Sequence, residues 1–186
     1  MESVKQLKLE HENILRMLKI IRVASLQVLR DEDFSVADFR KFVDFIRLYA
    51  DGTHHGKEEE YLFKEMEEKL GEAGKNLTRH GMLVEHNLAR LYVSNLEDAL
   101  NRYEADKSDD ARLDIIIAAG SYANLLDSHI FKENNVVFPY AERELSEESR
   151  AKVEADSRTF EDLDEHREIR DRQLDILDEL ERKYIG

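Results

Sequence analysis

Two His/Glu pairs and two further histidines stand in this chain where apolar residues would be expected. Glu58 follows His54 by four residues, and Glu133 follows His129 by four. On an α-helix residues so spaced share one face, about one turn apart. His11 interrupts the stripe Val4, Leu7, Ile14, Leu18, Ile21, Val28, and His86 interrupts Met82, Ala89, Val93, Leu96, Leu100, Tyr103. The other two stripes are Phe39, Val43, Ile46, Ala50, His54, Glu58, Tyr61 and Ile115, Ala119, Tyr122, Leu126, His129, Glu133, Val136, Tyr140. Ionised carboxylates in an apolar seam are costly unless paired or metal-bound, and no Lys or Arg falls in the seams at that level. A cation is the economical compensation. Two fit better than one, because six donors with two potentially bridging carboxylates exceed what a tetrahedral zinc requires. Imidazole with carboxylate suits iron or manganese, and a carboxylate-bridged di-iron site is the favoured reading, with manganese or zinc as the alternative ions.

The elements that must position these groups can be read from the breaks. One Pro, 7 Gly and 38% charged residues, with few alternating stretches, describe an all-α chain. Breaks are expected near Asp31–Ser35, Gly71–Asn76, Asp106–Asp110 and Pro139–Ser146, with Ser35 and a residue in 108–110 as N-caps. Short connections favour antiparallel neighbours, hence an up-down-up-down four-helix bundle over 1–145. The remainder, 146–186, carries an apolar stripe of Phe160, Leu163, Leu174, Leu177, Leu180 and Tyr184. It is expected to form one or two helices packed on the bundle, or against a second copy in a homodimer.

The halves repeat. His11 and His86, His54 and His129, Lys57 and Lys132, Glu58 and Glu133, and Phe63 and Phe138 are each 75 residues apart. Two similar hairpins packed with pseudo-twofold symmetry would bring four imidazoles and two carboxylates to one depth.

Composition narrows the partners. With 28 Lys+Arg against 42 Asp+Glu, the net charge of -14 repels phosphate backbones and anionic lipid, so neither nucleic acid nor membrane is an expected partner. The absence of cysteine excludes disulfides, thiolate metal sites and cysteine nucleophiles. No apolar run approaches the length of a spanning helix and the N-terminus has no leader pattern, so a cytoplasmic protein is expected.

The ordered pattern of His11, HHGKEE at 54–59, EH at 85–86 and HIFKEN at 129–134 resembles the hemerythrin-like, or HHE cation-binding, domain across roughly residues 7–140. The resemblance implies a four-helix bundle around a non-haem di-iron centre, with Glu58 and Glu133 bridging and His11, His54, His86 and His129 as terminal ligands. Met82 stands where oxygen-carrying members have a fifth histidine. Its weak thioether is expected to wall the pocket or to leave a position for water or carboxylate. The resemblance implies binding or sensing of dioxygen or a related diatomic; the alternatives are an enzyme acting on peroxide or nitric oxide, or an iron-storage bundle.

Neighbouring residues carry lesser expectations. His55, about 100° round an α-helix from His54, is read as packing at the helix interface or hydrogen-bonding near the ligands, with ligation as the alternative. Glu59 reads as a solvated neighbour or an extra ligand, and Glu10 and Glu85 as surface ion pairs or partners that orient an imidazole. Phe63, Phe138, Leu62 and Val137 are expected to form an apolar lid. Tyr61 and Tyr122 are expected near the site or as half-buried bundle tyrosines, and His80 and His166 as structural or exposed.

Overall fold

The computed structural model describes residues 1–30 and 34–186; the expected turn around Asp31–Asp33 lies outside the described residues. Every regular element among the described residues is helical. Helix α1 spans Glu2–Leu29. Ser35 then caps α2 (Val36–Phe45), its hydroxyl accepting from the amide of Asp38. The same rod continues through two wider π-helical stretches, π1 (Ile46–His55) and π2 (Glu58–Phe63), into α3 (Lys64–Lys69).

The break expected over 71–76 narrows to Leu70–Gly71. Gly71 adopts φ +59°, which a residue without Cβ reaches at no steric cost, and the chain is helical again at once in α4 (Gly71–Leu77). A Cβ at Gly74 would lie 2.2 Å from the Met66 carbonyl oxygen, so glycine there lets α4 close down on α3.

A short π3 (Thr78–Met82) leads into α5 (Leu83–Asp106), which ends on left-handed Lys107. Ser108 caps α6 (Asp109–Lys132), its hydroxyl accepting from the amide of Ala111. This helix runs on through π4 (Glu133–Val137) into α7 (Phe138–Glu144). Pro139 is no break: it stands in the first turn of α7 directly after π4, and the rod continues through it. The chain turns only at Leu145, before α8 (Glu147–Glu161) and α9 (Asp164–Tyr184).

Side-chain contacts fix the directions of the four long rods. Against α1, Arg112 of α6 reaches the Val28 carbonyl, Asn124 meets Arg22, and Asn134 meets His11. Arg40, Asp51 and Glu59 of the second rod meet Glu104, Arg90 and His86 in the same reversed order. Asn13 with Tyr49 and Glu10 with His54 join the first two rods, and Arg102 with Asp114 and Glu85 with His129 join the last two. Each rod thus runs antiparallel to its two neighbours. Two apolar clusters fill the interior. The larger contains Ile14, Ala50, Ala89 and Leu126, and the smaller Leu7, Leu62, Met82 and Val137. The histidine and glutamate layer lies between them on every rod.

The C-terminal helices pack on this body. Leu177 and Leu180 are fully buried in the larger cluster, and Arg16 of α1 binds Asp178 and Glu181. Leu163 departs from the expected stripe and is 51% exposed at the α8–α9 turn. Truncating Leu177 to alanine is expected to cost about 2–5 kcal/mol in urea unfolding. An unchanged midpoint would show that α9 is not part of the cooperative core. No helix among the described residues is long and apolar enough to cross a membrane.

Candidate metal centre

The helix period dictates which side chains enter the layer, and the period changes there. An α-helix turns about 100° per residue; a π-helical turn, closed by i→i+5 hydrogen bonds, turns less, so adjacent residues lie closer in direction. Within π1 both His54 and His55 therefore point inward, each buried to 2% or less. After Glu58 the next inward residue is Leu62, while Tyr61 is only part-buried. After Glu133 it is Val137, and the expected seam residue Val136 is 50% exposed. The same wide turn thus shifts the seam in both halves.

Six predicted residues meet: His11, His54, Glu58, His86, His129 and Glu133, with His55 as a seventh. They form two groups that share Glu58, namely His55, His86 and His129 with Glu58, and His11 and His54 with Glu58 and Glu133. His129 Nε2 lies 3.0 Å from Glu133 Oε1, and His11 Nε2 lies 3.2 Å from Glu133 Oε2, close but without hydrogen-bond alignment. His54 Nε2 and His86 Nε2 stand 3.5 and 3.6 Å from the two oxygens of Glu58. His55 stacks on His86 at 3.7 Å between ring centroids.

All five rings are oriented from behind. Nδ1 of His11 faces Asn134 Oδ1 at 3.0 Å, that of His54 faces Glu10 at 2.8 Å, that of His55 faces Asp51 at 3.2 Å, that of His86 faces Glu59 at 2.7 Å and that of His129 faces Glu85 at 2.9 Å. An oxygen acceptor at Nδ1 assigns the proton to that nitrogen and turns the Nε2 lone pair inward. Most of these outer partners repeat with the halves. Glu10 and Glu85 are 75 residues apart, as are Glu59 and Asn134. Phe63 stacks near His86 as Phe138 does on His11, providing part of the expected lid. The trio Asp51, His55 and Arg90 breaks the repeat, since the equivalent positions hold Leu126, Ile130 and Leu15.

The interior holds more acceptors than donors. Both oxygens of Glu58 and of Glu133, and Nε2 of His11, His54 and His55, are buried without a hydrogen-bond partner. Nε2 of His86 and of His129 stand 3.0 Å apart. Two lone pairs at that separation repel unless a proton or cation lies between them. In the metal-free protein protons supply part of the compensation. Burial and the neighbouring Glu133 push Glu58 well above the usual carboxylate range. Burial alone would lower His129, but Glu133 and Glu85 outweigh it and raise it to about 9. Burial and nearby His11 hold His54 down to about 4, so it stays neutral. Glu10 is opposed by burial, yet His54 and Lys57 draw it down to about 2. Convergent imidazole nitrogens and carboxylate oxygens without protein partners make a fit for one or two cations of the iron, manganese or zinc type.

The remaining candidates fall into place around this layer. Glu10, Glu85 and Glu59 all orient imidazoles. Asp51 and Asn134, also orienting residues, were absent from the expectations, although Asp51 sits four residues before His55 on the same rod, a spacing that signals a helical pair. Met82 is buried in the smaller apolar cluster with Leu62 and Phe63, and forms wall. Tyr61 packs edge-on against Phe160, whereas Tyr122 is buried with its hydroxyl unpartnered. Tyr122, His55, Asp51 and Arg90 help line a small notch. His80 is exposed, and His166 is tied to the Phe160 carbonyl.

A family model described as the hemerythrin HHE cation binding domain matches residues 2–141. No curated protein and no solved structure matches the chain.

Proposed function

Since the chain belongs to the hemerythrin HHE cation-binding domain family, we propose that the layer holds two irons and that the protein binds or senses dioxygen or a related diatomic ligand. The observation that carries this reading is the set of five imidazoles whose Nδ1 atoms are occupied and whose Nε2 atoms converge on two buried carboxylates. His55, His86 and His129 would hold one ion and His11, His54 and Glu133 the other, with Glu58 common to both groups. Iron bound there would supply redox and diatomic-ligand chemistry. Each group offers fewer donors than an octahedral ion takes, which leaves room for an external ligand.

The protein's own residues do the rest. Glu10, Asp51, Glu59, Glu85 and Asn134 hold the rings in one tautomer. Phe63 and Phe138 exclude water. The notch beside His55, on the order of one water in size, suits a small ligand, and Tyr122, whose hydroxyl has no partner, is among its lining residues. His55 also supplies the fifth imidazole that Met82 cannot.

Metal analysis of protein purified without chelator or affinity tag is expected to give about two irons per chain. Its aerobic spectrum is expected to show a charge-transfer band that disappears on deoxygenation and returns with air. About one zinc and no iron would overturn the di-iron reading. Peroxide turnover without reversible oxygen binding would replace sensing with an enzymatic role.

A further inference from the structure

Lys57 is 2% exposed, an unusual place for an ammonium group. It is held between Glu10 of α1 and Glu161 in the last turn of α8, the latter at 2.7 Å. The other oxygen of Glu10 accepts from His54 Nδ1. A continuous chain of charge-assisted hydrogen bonds therefore runs from α8 through Lys57 and Glu10 to an imidazole whose Nε2 faces the centre. The end of α8 is seated here by packing as well. Phe160 meets Tyr61 edge-on, and passes over Gly56 so closely that a Cβ there would touch its ring at 3.7 Å.

The repeat supplies an internal comparison. In the other half the same relay runs from His129 to Glu85 to Lys132, but the Lys132 side chain is 38% exposed and opens to solvent. The C-terminal helices thus reach one of two otherwise matching relays.

We propose that Glu161 is a positioning residue for His54, linking α8 to occupancy of the His11/His54 side of the centre through Lys57 and Glu10. This rests on the metal-binding reading above. Glu161 shares the charge of Lys57. Without it the ammonium draws Glu10 more strongly, the hydrogen bond from His54 Nδ1 weakens, and the ring becomes a poorer donor at Nε2. Linkage makes the effect reciprocal. A cation on Nε2 makes the Nδ1 proton more acidic and tightens its bond to Glu10, which leaves Lys57 freer to hold Glu161.

The test uses the full chain loaded anaerobically with ferrous iron, its release to a chelator followed for wild type, Glu161→Gln and Lys132→Gln. Glu161→Gln is expected to speed the loss of one ion about tenfold and leave the other unchanged, and Lys132→Gln to act on the other ion. Loading is also expected to slow amide exchange in the last turn of α8 in wild type and not in Glu161→Gln. Release of both ions from Glu161→Gln at wild-type rates overturns the link. So does equal acceleration of both with a lower melting temperature of the metal-free protein, which would mark a packing role only. If wild type holds a single ion, the dinuclear reading fails and the link is judged on that ion, an unchanged release rate overturning it. Failure to bind any ion overturns both.

Discussion

Glu58→Ala and Glu133→Ala are each expected to reduce iron loading from two ions to one or none per chain while leaving far-UV helicity intact. Both carboxylates are fully buried and both lack hydrogen-bond partners at their oxygens, so neither holds the helices together in the way a capped turn does. The two variants should differ when metal-free. Burial and the neighbouring Glu133 raise Glu58 well above the carboxylate range, so its carboxylate is unfavourable in place and its removal is expected to cost less in urea unfolding than that of Glu133. Glu133 faces a charged His129, and removing one member of a buried pair leaves the other uncompensated, at a cost of about 3–5 kcal/mol. Two irons and an unchanged spectrum in both variants would show that the carboxylates are not ligands.

The second large effect is on pH. Metal can bind only where protons have left. In the metal-free protein His129 lies at about 9 and so holds a proton at neutrality, and burial with the neighbouring Glu133 raises Glu58 well above the carboxylate range. Groups with raised pKa values lose those protons as pH rises, and affinity climbs with them. Between pH 6 and 8 the apparent affinity for ferrous iron is expected to rise roughly tenfold per pH unit through the proton displaced from His129, flattening above about pH 9. Glu10 and Asp51, both at about 2, stay ionised throughout and add no slope. Chelator competition at several pH values, with proton release followed in weakly buffered solution, measures both quantities. An affinity flat from pH 6 to 8 would show that the layer does not carry these protons.

The rods and most of the converging side chains were legible because the seam period is regular outside the histidine and glutamate layer. His11, His86 and the two His/Glu pairs fall on stripes that a constant 3–4 spacing finds, and the 75-residue repeat sets them in register. Ser35 declared itself as a cap by side-chain chemistry alone, and the second cap was narrowed to 108–110, of which Ser108 is the one that caps. What escaped lies where the period changes. The rotation that set His55 aside is that of an α-helix, and π1 does not have it. Val136 was placed in the seam for the same reason, although π4 turns Val137 inward instead. The outer acceptors Glu59 and Asn134 were obscured differently. Each serves a ring on another rod, so no local spacing announces it. Only their equivalence under the repeat links them, Glu59 to His86 and Asn134 to His11.

The divergence at Asp51, His55 and Arg90 has a consequence for how the chain fills. Three imidazoles belong to one group and two to the other, so, were the layer to hold two irons as proposed, scarce iron would not scatter evenly. It would settle first where imidazole is richest, and a population short of iron would then be composed of half-charged molecules rather than a mixture of full and empty ones.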